Sequence, residues 1–134
     1  MCFANNAIQG LNLAVPDVCY VPAIVPIPTS LINIANRAMS NPATTNMKVL
    51  YSGGAAAHVN TLIFLSSGNE AGVGGGVASG MFIGPCRSTT GSNCVFHQGM
   101  PATTLISLTL HNGMAPNTAG TGVMPSQTKV MIMR

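Results

Sequence analysis

Short runs in which apolar and polar side chains alternate recur along the chain, each closed by glycine, proline, serine or asparagine. They predict strands at 47–51, 61–65, 93–97, 103–110 and 128–133, an all-β pattern. One stretch, LINIANRAM at 31–39, fits a short helical turn with Ser30 as its N-cap. The segment 16–30, PDVCYVPAIVPIPTS, carries prolines at 16, 22, 26 and 28. Each proline fixes φ and removes a backbone donor, so this stretch reads as an extended wrap or a chain of turns and not as a central strand. Cys19 is then held at a locked position.

The pattern also repeats. KVLYSGGAAA laid beside CVFHQGMPAT matches Val49, Gly53 and Ala56 to Val95, Gly99 and Ala102, and a third copy, TKVMIM, begins at Thr128 and is cut off by the C-terminus. Each unit reads as a turn, a strand, a glycine turn and a small-residue return. Such hairpins bury little alone and need their neighbours, which predicts a repeat-built β-structure in one domain, 1–134. Between the first two copies lies SSGNEAGVGGGVASGMFIGP, with glycines at 74–76. It lacks the GK[ST] ending and the following helix of a phosphate loop, so it reads as a bent β-segment or close-packed turn.

Composition narrows the function. Only 5% of the 134 residues are charged, and Asp17 and Glu70 are the only carboxylate side chains. An ordinary soluble domain carries about a quarter charged residues, so neutral polarity or a covered surface must keep this one in solution. The formal charge of +3 comes from the scattered Lys48, Lys129, Arg37, Arg87 and Arg134. Without basic runs or stacking aromatics, nucleic acid is not expected as a partner. No apolar run is long enough to span a bilayer, so stable membrane insertion is not expected, and the N-terminus does not read as a secretory signal. A cytoplasmic chain with reduced thiols is the expectation, although the spacing of Cys86 and Cys94 would allow a disulfide across a turn.

Acid/base chemistry would need Asp17 and Glu70 to meet, and no nucleophile motif is present. Metal binding has more to work with. Cys19, His58 and His111 all fall at expected turns, in PDVCYVP, GGAAAHVN and TLHNGMAPN, and stacked hairpins could bring those turns to one end, where Cys and His suit zinc or iron. The alternatives are a Cys19 that packs as a small hydrophobe and histidines on the surface. His97 is expected to face solvent, and the nine methionines to fill the core.

PDVC with VPIP downstream, then TTNMKVLYSGGAAAH, SSGNEAGVGGGVASGMFIGP, TTGSNCVFHQGMPAT, HNGMAPN and PSQTKV, resemble the PAAR-like proteins of bacterial type VI secretion systems. The resemblance runs over nearly the whole chain. It implies a small cone of short stacked β-hairpins that caps a VgrG-type spike trimer as a monomer, sharpens it and carries effector cargo. It implies zinc or iron at the apex, held by Cys19, His58 and His111, with Cys86 or water as a fourth ligand. It implies a non-enzymatic protein that waits in the cytoplasm and is then secreted or delivered into a target cell, with the Gly- and Ser-rich segment 72–80 in or beside the docking base. The usual PAAR motif and its histidine-glycine signature are missing, and where relatives often read GDEAG this chain has Asn69. The alternative function is a small metal-dependent hydrolase acting on cell-envelope polymers, with Glu70 as its carboxylate.

Overall fold

In a computed structural model, which describes residues 1–133, the chain is all-β. Its strands are β1 (Cys2–Phe3), β2 (Leu11–Val21), β3 (Ile27–Asn36), β4 (Asn46–Tyr51), β5 (Gly54–Ala56), β6 (Leu62–Ile63), β7 (Cys86–Ser88), β8 (Phe96–His97), β9 (Met100–Pro101), β10 (Thr109–His111), β11 (Thr118–Met124) and β12 (Met131–Ile132). A six-stranded antiparallel sheet runs β3-β2-β11-β10-β7-β6, and three small hairpins, β1–β12, β4–β5 and β8–β9, stand apart from it.

The segment 16–30 departs from expectation, because Asp17–Val21 of β2 and Ile27–Leu31 of β3 form a regular antiparallel ladder, with a bridge from Cys19 to Gly76 on the other side; β11 pairs only with Leu11–Ala14. Its prolines are placed where a missing donor does no harm. Pro16 falls in the register shift between Ala14 and Asp17, Pro22 and Pro26 lie in the loop between the strands, and Pro28 sits opposite Tyr20 on the edge strand β3. The expected helix at 31–39 is also strand as far as Asn36. The β-branched Ile32 and Ile34 alternate as a strand requires, and pairing with β2 outweighs the weak helical signal. Only Arg37–Met39 form a 3-10 turn, capped by Asn36 Oδ1, which accepts from Ala38 N at 2.9 Å.

The repeat is real in three dimensions. The β4–β5 hairpin turns through Ser52 (φ 52°) and Gly53 (φ 83°), the β8–β9 hairpin through Gln98 (φ 52°) and Gly99 (φ 79°), two consecutive left-handed residues in each. The third hairpin pairs Cys2 with Ile132 and Phe3 with Met131, so its two arms come from the opposite ends of the chain. Val49, Val95 and Val130, equivalent in the three copies, pack against one cluster of Ala4, Tyr51, Ala56, Ala102 and Ile132.

Backbone hydrogen bonds close these copies into a ring. Asn5 N–H donates to Thr103 O (2.9 Å), Thr103 N–H to Ala57 O (3.1 Å) and Ala57 N–H to Asn5 O (3.0 Å). One step outward the cycle recurs: Ala7 donates to Ala55, Val59 to Pro101 and Leu105 to Phe3. The long strands leave this ring in one direction. Arg37, between β3 and the ring, donates to Asn5 Oδ1 and Asn12 Oδ1, so the start of β2 and the end of β3 lie against the ring and their shared loop lies at the far end.

The interior is unusually polar. Apart from a few alanines, Ile63, Ile132, Tyr51 and two cysteines, the buried side chains are Asn, Thr, Ser, His, Gln, Asp17 and Arg37. All nine methionines are exposed, against the expectation that they fill the core. β11 (TAGTGVM) gives little sequence signal because glycine is the neighbour its position needs: a Cβ on Gly120 would stand 2.1 Å from Leu13 O on β2.

Candidate functional site

Two features carry the chemistry: a buried polar cage toward the far end of β2, and the three-hairpin ring. The cage is centred on Asp17, which is wholly buried. Its Oδ2 accepts from Asn33 Nδ2 at 2.9 Å and Asn69 Nδ2 at 2.8 Å, while Oδ1 accepts from Asn112 Nδ2 at 3.4 Å and from Asn117 Nδ2. Each amide spends its oxygen elsewhere. Asn69 Oδ1 accepts from Ile83 N, Asn112 Oδ1 from Gly84 N at 3.1 Å and Asn117 Oδ1 from Ala78 N at 2.8 Å. One carboxylate thus pins four strands and loops distant in sequence; amide dipoles replace the water it lost.

Cys19 lies beside this carboxylate. Its Sγ is 3.5 Å from Asn112 Nδ2 and 3.9 Å from Asn69 Nδ2, and burial, reinforced by the Asp17 charge, pushes the thiol up from its ordinary range. Gly72 packs so closely that a Cβ there would meet Cys19 Cβ at 2.3 Å. His111 completes the group from β10. Asn33 Nδ2 is committed to Asp17 and Ser66, so Asn33 Oδ1 must be the acceptor at 2.8 Å from His111 Nδ1, which therefore carries the proton. Nε2 is left to accept from Thr109 Oγ1 at 2.9 Å. Burial, only partly opposed by Asp17, holds His111 down at about 4, so it is neutral at physiological pH.

Of the three expected ligands, the fold brings together Cys19 and His111 but not His58. His58 belongs to the ring, where its N–H donates to Thr61 Oγ1 at 3.0 Å and Nδ1 accepts from Asn60 N at 3.2 Å. Burial, with His97 nearby, lowers its pKa. No group of three or more His, Cys, Asp or Glu able to hold a metal ion occurs among the described residues. The cage does not fit one: both His111 nitrogens are engaged, and the groups converging on Cys19 and Asp17 are N–H donors, whose positive ends suit an anion and oppose a cation. Cys86, the suggested fourth ligand, is instead buried beside Asn12 at 3.9 Å and unbridged, so the Cys86–Cys94 disulfide is not formed; burial pushes its thiol up to about 12.

At the ring, Tyr51 and His97 occupy equivalent positions of two hairpins and meet edge to face, with Tyr51 Oη 2.6 Å from His97 Nε2. His97 is buried, not solvent-facing, because the neighbouring copy covers that side of its strand; burial lowers its pKa. The residues one step along, Leu50, Phe96 and Met131, are again equivalent and point outward, 59%, 55% and 49% exposed. The sequence reading missed these three and Asn33, Asn112 and Asn117, and noted Asn69 only as a departure from GDEAG. The available signal was Asn33, Asn69 and Asn112 embedded in otherwise apolar or glycine-rich runs, and a lone aspartate with no basic partner near it.

Glu70, the carboxylate expected of a hydrolase, is exposed, and both its oxygens accept from Gly68 N–H at 2.9 and 2.8 Å. Segment 72–80 has partners within the fold: Gly75 O accepts from Tyr20 N, Gly74 N donates to Tyr20 O, and Val77 N donates to Val18 O. It is therefore packed on β2 toward the end away from the ring.

A family model described as "Toxin PAAR-like domain" matches residues 10–120. No curated protein and no solved structure matches the chain. The matched span takes in two of the three ring hairpins; the third, built from the two ends of the chain, lies outside it.

Proposed function

The chain belongs to the toxin PAAR-like domain family, and from that premise we propose that it is the tip of a type VI secretion spike, seated by its three-hairpin ring on a VgrG-type trimer. Family membership supports a spike-tip or effector-associated role. The observation that carries the docking end is the cyclic set of hydrogen bonds through Asn5, Thr103 and Ala57. A trimer end presents the same surface three times, and one monomer can meet all three copies alike only if it repeats itself around the same axis. This chain does so, and it repeats an exposed apolar side chain with it: Leu50, Phe96 and Met131. A set of that size and polarity suits a dry contact that varies little with salt.

In this role the protein is structural, carries cargo outward from the cytoplasm, and needs no catalytic group. The cage supports that reading by rigidifying the body above the ring. The hydrolase gains no support from Glu70, whose oxygens are engaged with its own loop, and no ligand cluster occurs among the described residues.

The test is co-purification with the cognate spike trimer. The combined Leu50→Asp, Phe96→Asp and Met131→Asp variant, shown folded by circular dichroism, should lose binding, with one monomer per trimer in the wild-type complex. A folded triple variant that binds the trimer as well as wild type does would refute the ring as the docking end.

A further inference from the structure

The end opposite the ring is built on another plan. Residues 22–28, PAIVPIP, are exposed without a break, and Ile24, at 105%, has lost none of its surface to the fold; Val25 (69%) and Ile27 (56%) flank it. β2 runs from the ring to this loop over eleven residues, a reach of roughly 30 Å. No charged side chain occurs from Val18 to Asn36, whereas Lys48, Lys129 and the amino terminus all belong to the ring hairpins. The molecule therefore has a basic, three-fold end and, at the other, an apolar loop without charge of its own, the buried Asp17 and the exposed Glu70 beside Asn69 lying on the same half of the molecule as that loop.

A surface hairpin ordinarily turns through Gly, Asn or Asp, which water solvates. This one turns through Ala23, Ile24 and Val25 between two prolines. Pro22 and Pro26 delete the backbone donor at each side of the loop, and Pro28 deletes another. The choice points to a particular surrounding. A protein partner can pair a loop's N–H groups, but hydrocarbon cannot, and unpaired backbone donors are what keep loops out of bilayers. Tyr20, half-buried one residue below the loop's first pair, is an aromatic of the kind that settles at the lipid–water boundary.

We propose that residues 22–28 insert reversibly into the outer apolar zone of a phospholipid bilayer, with Ile24, Val25 and Ile27 as the inserted side chains. The inference goes beyond the spike reading and does not depend on it. The N–H groups of Ala23, Ile24 and Val25 remain, which limits insertion to the boundary between headgroups and acyl chains.

The chain contains no tryptophan, so a single introduced one reports without background. In the full-length Ile24→Trp variant, emission should shift to the blue on adding phosphatidylcholine vesicles and be quenched by lipids brominated near the headgroup end of the acyl chain, equally at low and high salt. Leu50→Trp, at the ring, should not respond. Ile24→Asn with Val25→Asn, changes confined to exposed side chains, should lower vesicle partitioning by about tenfold or more. The proposal is overturned if Ile24→Trp emission is unmoved by vesicles, or if Leu50→Trp shifts as far. It is overturned equally if binding needs anionic lipid and vanishes with salt, or if the shift appears only when spike trimer is added.

Discussion

Asn69 donates from Nδ2 to Oδ2 of Asp17 at 2.8 Å, one of four asparagine amides whose N–H groups meet this carboxylate. Asn69→Asp should convert that donor into a second carboxyl facing the first. At neutral pH the lost bond and the added like charge should destabilise the fold by roughly 2–4 kcal/mol, and acidification should return part of it as one proton is shared. Urea unfolding at pH 7 and pH 5 measures both effects. A variant as stable as wild type at pH 7 would mean that the cage does not hold Asp17 as described.

His111 makes stability pH-dependent in a set direction. Its pKa is held down at about 4, against an ordinary value of 6.5, so the unfolded chain binds the proton more readily. The contribution is complete above about pH 6.5 and is lost as pH falls toward 4, on the order of 3 kcal/mol in all. His58 and His97 are shifted the same way and add to the trend. His111→Gln should be less stable at pH 7 and show a flatter profile between pH 7 and 4; parallel profiles would refute the assignment.

Metal analysis should find no stoichiometric zinc or iron in the purified protein, because the cage offers donors where a cation needs acceptors. Chelator should leave the melting temperature unchanged. In the folded state Cys19 and Cys86 should react with iodoacetamide far more slowly than after unfolding, since both thiols are buried and pushed up. One bound metal per chain, lost together with stability in Cys19→Ala, would restore the ligand role.

The two ends of the molecule should separate by mutation. Val77→Arg, on the exposed side of segment 72–80, should leave spike binding intact, whereas Ala102→Leu should weaken it. Ala102 has no exposed surface at the centre of the ring, and the added volume should also cost about 1–3 kcal/mol. Pull-down and thermal unfolding on the same preparations decide it. Loss of binding in a folded Val77→Arg variant would move the docking base to the glycine-rich face.

Much of the architecture was legible from the residues. Alternation and turn chemistry mark β4, β6 and the Phe96–His97 strand, because two-residue periodicity is local and survives wherever the strand is placed. The match of Val49, Gly53 and Ala56 to Val95, Gly99 and Ala102 marks two hairpins with the same left-handed turn. The ordered motifs from Pro16 to Val130 carry the resemblance to the family.

Tertiary structure alone decided which faces are inside. The sequence puts Asn33 in an expected helical turn and Asn69 in a glycine-rich turn, and nothing in it shows that the amides of residues 33, 69, 112 and 117 meet the one carboxylate at position 17. It placed Cys19 and His111 around the same carboxylate and left His58 in the ring, because His58 directly follows the β4–β5 hairpin whereas His111 lies on β10 of the six-stranded sheet. It made Pro16 compatible with strand β2 by placing it at a bulge, and it built the third hairpin from residues 2 and 132. The physical reason is common to all of these. Periodicity and propensity are set by neighbours in sequence, whereas satisfying a buried polar group depends on partners that only the closed fold can bring within hydrogen-bond distance.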